Sequence, residues 1–515
     1  MSPKKTSASA RSGSQKNQGQ KSLFGWDLVS WLEGADLVPQ SGAHARLIIA
    51  GSESQHKELD QQLADQLPNW QLAHLKEGKE IIRLAGLQGP LWVIRPRHNT
   101  KKVERDRGLL AANHYTTMRD LLGRWIQELD HFSDETLAVE FFQADTQEIV
   151  GALAGLEMGA YTYKRALVGN GLLSINLQIS GATDEQLQEA KVLATAVNIT
   201  RHLVNTPANE LNPVSYAETL QQLFQGHSEL EIEVWDEKRL VEERMNLIIA
   251  VGQASATAPR LIKFSYRPKS NPDSKPLALV GKGITFDTGG LDIKPPAGMR
   301  LMKKDMGGSA ALVGWLYWLV QSGQNRKVDV YLPLAENAIA NNAFRPGDVF
   351  TARNGKRVEI HNTDAEGRLI LADALALASE ASEAPEAIIC LATLTGAAKI
   401  GLGTDIAAYF STDEALAEKL EQGAVQYGDW VWRLPLFDGY RGLLKSTTAD
   451  ISHCASTPFA GPITAALFLS DFVAHLPFMH LDIYAWNDKA KGALREMGGS
   501  GQAVQALVGM FQRLN

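Results

Sequence analysis

Asp364, Glu366 and Arg368 place three charges at alternate positions within His361–Leu369, directly ahead of the mostly apolar run Ile370–Ala378. In an extended segment, side chains at i, i+2 and i+4 share one side. The three are therefore expected to point into one cavity, anchored by the helix-like run that follows. Two carboxylates so placed repel each other unless a positive group lies between them. Arg368 is one such group and a metal ion is the other. Taken alone, the same residues also read as a solvated loop that pairs its own charges.

A second cluster lies upstream. The short apolar strand expected over Leu277–Val280 runs into Gly281-Lys282-Gly283-Ile284-Thr285-Phe286-Asp287-Thr288-Gly289-Gly290, and the segment continues through Lys294 to Lys303-Lys304-Asp305-Met306-Gly307-Gly308. Glycines permit positive φ and close backbone approach, which suits side chains converging on a small ion. Asp287, Asp305, Asp364 and Glu366 supply four negative charges. Two divalent cations would balance them with Lys282 bound as a neutral amine, leaving Lys294 and Arg368 positive and free to act. Paired metals about 3.5–4 Å apart are what hydrolysis of an unactivated amide favours, because they activate a water and stabilise the tetrahedral oxyanion.

The pattern Lys282-x4-Asp287-x6-Lys294-x10-Asp305, followed by Asn362-Thr-Asp-Ala-Glu-Gly-Arg-Leu369, resembles the leucyl aminopeptidase (cytosol aminopeptidase) family. The resemblance implies that Lys282, Asp287, Asp305, Asp364 and Glu366 bind two divalent metals, with Asp287 and Glu366 bridging. It implies that Lys294 and Arg368 are catalytic and that Arg368 holds a bicarbonate. Met302 and the turn Thr393-Leu394-Thr395-Gly396 match positions lining the pocket for the substrate's first side chain. The family further implies peptide substrates, a broad preference for N-terminal and often apolar residues, and a homo-hexamer of two trimers. Carboxylate oxygens plus one amine suit Zn, Mn and Co alike. Tyr484-Ala485-Trp486-Asn487 and Met497-Gly498-Gly499-Ser500-Gly501-Gln502 depart from the family's pattern.

The elements that must position these residues are legible in outline. A chain of 515 residues exceeds one ordinary core. Residues 1–22 carry five basic residues and no acid, and read as a disordered tail. Residues 23–181 mix short strands (45–50, 91–94) with helices near 58–67 and 116–129, as a smaller N-terminal α/β domain. An amphipathic helix over 183–203 and an Asn- and Pro-rich turn form a connector over 182–213. In residues 214–515, apolar strands at 247–251, 277–280, 328–334, 387–392 and 478–483 alternate with helices. This predicts a larger α/β domain with a central mixed sheet flanked by helices, the catalytic metallopeptidase domain of the resemblance.

Composition narrows the function classes. The 44% hydrophobic and 21% charged content describes a soluble globular chain, and the longest apolar run, 310–320, is too short to span a bilayer. Cys390 and Cys454 are the only cysteines, expected to be reduced core or near-core residues, and the cytoplasm is the expected compartment. The net charge of −7 argues against nucleic acid as the main partner. A DNA-binding architectural or regulatory protein on an aminopeptidase scaffold is the alternative class, resting on the basic tail. Gly281-Lys-Gly283 lacks the third glycine of a dinucleotide fingerprint and the Gly-Lys-Ser/Thr of a P-loop, and Gly307-Gly-Ser309 lacks the closing glycine of a nucleophile elbow.

Overall fold

The computed structural model describes residues 45–51, 53–75, 79–86, 89–97, 110–129, 136–163, 176–270 and 274–512; the basic tail lies outside them. The smaller sheet holds β1 (Ala45–Ala50), β2 (Ile81–Gly86), β3 (Gly89–Ile94), β4 (Thr136–Phe142) and β5 (Asn176–Ser180) in the order β2-β3-β1-β4-β5. Its strands alternate with period two, and the alternation is used on both faces. Ile48, Ala50, Leu91 and Val93 face α1 (Glu53–Ala64) and α2 (Asn69–Leu75), whereas Leu47, Ile49, Trp92 and Ile94 face α3 (His114–Trp125) and α4 (Thr146–Ala160). The helix expected near residue 58 thus starts at Glu53.

The larger sheet is mixed. It comprises β6 (Leu230–Trp235), β7 (Arg260–Tyr266), β8 (Leu277–Gly281), β9 (Gly283–Asp287), β10 (Val328–Asn337), β13 (Ile388–Ala392), β14 (Ala407–Ser411), β15 (Val431–Arg433) and β17 (Phe478–Asp482). Their order is β15-β14-β17-β13-β8-β10-β7-β6, with β9 beside β10. A small sheet of β11 (Val349–Thr351), β12 (Arg357–Glu359) and β16 (Ile451–Ser452) lies apart. At the centre, β17, β13, β8 and β10 run parallel, so their carboxyl ends open on one edge, where α/β sheets place ligands.

Helix α5 (Asp184–Asn205) starts at a capping box in which the Thr183 hydroxyl and the Gln186 side chain satisfy each other's backbone amides. Only its first turns are amphipathic. From Val192 to Asn205 every residue is buried, because the helix lies between α4 and α8 (Gly307–Gln321), and the Thr200 hydroxyl donates to Ala310 O at 3.0 Å. The following helix α6 (Pro213–Leu223) is capped by Asn212 with Pro213 at its first position, so the Asn- and Pro-rich turn is a helix start. One hydrophobic core runs from the smaller sheet through α4, α5 and α8 to the larger one.

One expected strand is a helix. Residues 247–251 belong to α7 (Asn246–Gly252), whose first amides Leu247 N and Ile248 N donate to the buried Asp373 carboxylate at 2.8 and 3.3 Å. A five-residue apolar run carries no usable periodicity; a carboxylate distant in sequence, anchoring the helix start, decides between helix and strand.

Within α4, Glu157 is 1% exposed, and neither carboxylate oxygen has a hydrogen-bond partner among the described residues. Burial pushes its pKa up from 4.5 to about 8, with Lys191 pulling weakly the other way. The fold therefore favours the neutral acid, whose stabilising contribution is complete below about pH 4.5 and is lost as pH rises through 8. Glu157→Gln is expected to raise the unfolding free energy by roughly 2–4 kcal/mol at pH 8.5 and by little at pH 5. Thermal melts at the two pH values read the difference; an equal shift at both would show that Glu157 is not held neutral.

Candidate metal centre and active site

The buried strand β8 delivers Lys282 to the open edge, where Lys282 N donates to Leu391 O (2.9 Å) and Ser309 N donates to Lys282 O (2.8 Å). The second bond docks the start of α8 against β8. It sets Asp305, in the turn before that helix, beside Lys282. A Cβ on Gly308 would lie 2.3 Å from Leu391 O, so only glycine allows this approach. The Lys282 ammonium lies 2.7 Å from Asp305 Oδ2 and 2.9 Å from Glu366 Oε1, and donates to Thr393 O at 3.0 Å. Asp287 closes β9 and faces Lys294 Nζ at 2.8 Å. Lys294 also pairs with Asp364. Its loop turns through Gly289 and Gly290 at φ of 88° and 65°.

The segment carrying Asp364, Glu366 and Arg368 is not extended. Asn362 accepts Asp364 N at 2.8 Å, starting a 3-10 turn over Thr363–Ala365 that passes directly into α9 (Glu366–Ser379). Asp364 and Glu366 still face the cavity, whereas Arg368, in the first turn of the helix, lies behind it. It is 7% exposed and donates from Nη1 to His453 O at 2.9 Å. At Gly367 a Cβ would lie 2.4 Å from Lys282 Cε, so glycine there lets the helix start press against the lysine.

Four carboxylates and two ammonium groups leave this buried cluster two negative charges in excess. Burial, with repulsion from Asp287, holds Glu366 well above the usual carboxylate range, and the same two causes raise Asp364. Lys282 and Lys294 sit above the ordinary lysine value although burial opposes it, because Asp305 and Glu366, and Asp287 and Glu366, pull harder. Carboxylate oxygens of Asp287, Asp364 and Glu366 lie within 4.8 Å of one another, and buried Glu366 Oε2 has no hydrogen-bond partner among the described residues. An orphaned anionic oxygen beside two more carboxylates is a donor set that fits a hard or borderline divalent cation.

The cluster lines a cavity of about 540 Å³. Met302, Thr393, Leu394, Thr395 and Gly396 all lie along it, as do Lys304, Lys399 and Tyr484. Burial pushes the Lys304 ammonium down to about 8, against the pull of Asp305.

The family model described as the cytosol aminopeptidase family, catalytic domain, matches residues 198–508, a span holding every residue of the cluster. The chain belongs to this family. A "Probable cytosol aminopeptidase" of Rhodopirellula baltica is 37% identical over 409 residues, covering 79% of this chain and 78% of its own. One of Trichormus variabilis is 42% identical over 343 residues, 66% and 69% of the two chains. Among solved structures, the cytosol aminopeptidase of Coxiella burnetii superposes with a TM-score of 0.77 at 30% identity, covering 93% of this chain and 99% of that one. The bottromycin maturation enzyme BotP in complex with Mn gives 0.79 at 29% identity, covering 91% and 99%. The protein is a metal-dependent aminopeptidase, and none of these relatives is named as nucleic-acid-binding. No helix among the described residues is long and apolar enough to cross a membrane.

Several residues that hold this aminopeptidase's cluster escape a motif reading. Asn337 Nδ2 donates to Asp287 Oδ1 (2.8 Å) and to Thr363 O (3.1 Å), tying β10 to both halves of the cluster. Its only sequence signal is a polar residue ending an apolar strand. The Thr393 hydroxyl donates to Asp305 Oδ1 at 2.7 Å, and Asp482 accepts Leu394 N, Thr395 N and the Thr395 hydroxyl, which fixes the 393–396 turn. His453 accepts His361 N at Nδ1 and donates from Nε2 to Asn362 O at 2.9 Å, while its carbonyl holds Arg368. Burial, with Arg368 adding, pushes its pKa down to about 3, so the ring stays neutral. Nothing around His453 in the sequence announces it. His480, buried and stacked on Phe410, lies in the sheet away from the cavity.

Proposed function

We propose that Lys282, Asp287, Asp305, Asp364 and Glu366 hold two divalent cations, that Lys294 acts on the peptide, and that Arg368 serves catalysis from behind the cavity by holding a small anion. The convergence of three carboxylates within 4.8 Å, flanked by Lys282 and Lys294 in the lining of one cavity, carries this reading. The bound cations supply Lewis acidity and an activated water. Lys294, 15% exposed in its side chain and lining the cavity, is placed to donate to the oxygen on which charge develops. Asp287 and Asp364 orient its ammonium. Arg368 keeps a buried Nε with no partner among the described residues, which supports a small anion such as bicarbonate beside it. Lys282, held as an ammonium between Asp305 and Glu366, would have to give up a proton to ligate a cation, so metal binding there is expected to release one.

Manganese is favoured by the Mn complex of a related structure; Zn and Co suit the same donors. The family reading also supports a hexamer, a cytoplasmic setting, and a division at residues 23–181, 182–213 and 214–515. Metal analysis should return about two divalent ions per chain, with hydrolysis of aminoacyl-amides lost on exhaustive chelation and restored by Mn or Zn. Full activity in chelated protein would overturn the reading.

A further inference from the structure

Two lysines lining the same cavity share one aromatic ring. Lys304 Nζ lies 4.5 Å from the centroid of Tyr484, and Lys399 Nζ lies 4.1 Å from it while donating to the Tyr484 hydroxyl at 2.7 Å. Lys282 and Lys294 each contact two carboxylates, whereas neither Lys304 nor Lys399 has one within 4.0 Å among the described residues. Lys304 is 6% exposed, and its Nζ makes no hydrogen bond or ion pair among the described residues beyond its contact with the Tyr484 ring. The nearby acids are committed elsewhere: Asp305 to Lys282 and Thr393, Asp482 to the 394–395 turn, and Asp405 to Lys491.

A buried ammonium facing a cavity without a counter-ion is costly unless something entering the cavity neutralises it. A substrate whose N-terminal amide lies on the carboxylate cluster has its first side chain in the remainder of the same cavity. Met302 and Leu394 there offer apolar wall to a methylene stem, and Lys304 and Lys399 line the same cavity. We infer that the cavity selects an N-terminal residue whose side chain ends in a carboxylate, glutamate or aspartate, with Lys304 as the residue that specifies it and Lys399 assisting. This rests on the aminopeptidase site proposed above and names the substrate class that it takes.

The test compares kcat/KM of the metal-loaded enzyme for the 7-amido-4-methylcoumarin derivatives of Glu, Gln and Leu. Glu and Gln have nearly the same shape, so their ratio isolates the charge. Wild type is expected to favour Glu over Gln by about tenfold or more, the scale of one hydrogen bond to a charged group. The ratio should fall to about one in Lys304→Gln and fall by a smaller factor in Lys399→Gln. If Lys304→Gln does not fold, the wild-type ratio and the exposed Lys399 variant still decide. Hydrolysis of Leu and Gln with Glu no better than Gln overturns the inference and leaves the aminopeptidase site intact. A Glu preference unmoved by both variants overturns the role of the lysines. Failure to cleave all three derivatives would overturn the proposed site itself, and the inference with it.

Discussion

Glu366→Gln is expected to lower kcat/KM by roughly 10³-fold or more, the equivalent of losing several kcal/mol of metal-centred charge stabilisation, and to cut bound divalent metal from about two ions per chain to about one. Glu366 is 1% exposed, faces Lys282 with one oxygen and leaves the other without a hydrogen bond among the described residues. Glutamine keeps the shape and removes the charge. A misfolded variant would also be inactive, so the melting temperature in chelator separates the cases. Burial and Asp287 disfavour the charged carboxylate, and Lys282 retains Asp305 at 2.7 Å, so the metal-free variant should melt no lower than wild type. Wild-type activity with two ions bound would remove Glu366 from the metal site.

Lys294→Ala should lower kcat by about 10²–10³ with little change in KM, the cost of losing one donor to a developing oxyanion. Metal affinity should move differently. The Lys294 ammonium sits against Asp287 and Asp364, two candidate ligands, so without it a cation meets less competition. The alanine variant should therefore hold metal at least as tightly as wild type while turning over slowly. Calorimetric titration of Mn into chelator-treated protein gives the affinity and steady-state kinetics give the rate. A raised KM at unchanged kcat would mean that Lys294 binds substrate and transition state alike, and loss of metal would make its role structural.

Much of this site is written locally. The charges of Lys282, Asp287, Lys294 and Asp305 recur at short intervals around apolar strands, and their types alone demand a cation or a set of ion pairs. Thr183 with Gln186, and Asn212 with Pro213, mark two helix starts that form where the residues say, because a cap acts over three residues and needs no partner from elsewhere. Four strands of the larger sheet, β8, β10, β13 and β17, are legible for the same reason, as short β-rich apolar runs bounded by polar residues, whereas β6, β7, β9, β14 and β15 are not among the expected strands and 247–251 is a helix.

That helix shows what the sequence alone leaves undecided. Whether Leu247–Val251 is strand or helix depends on Asp373, more than a hundred residues away, whose carboxylate anchors its first amides. Alternate charges at 364, 366 and 368 imply one shared side only if the segment is extended. The Asn362 turn makes it helical, so Arg368 is carried behind the cavity to His453. Asn337, His453 and Asp482 hold the cluster from other strands and loops, and the pairing of Lys304 with Tyr484 joins positions 180 residues apart. The residue types and spacings by themselves called for a cation or a set of ion pairs, and by their resemblance to the family for a peptidase's cluster. Which groups face one another, and which ammonium is left without a counter-ion, was decided only by the order of strands in the sheet, because the electrostatic cost of a buried charge depends on neighbours that topology alone brings into contact.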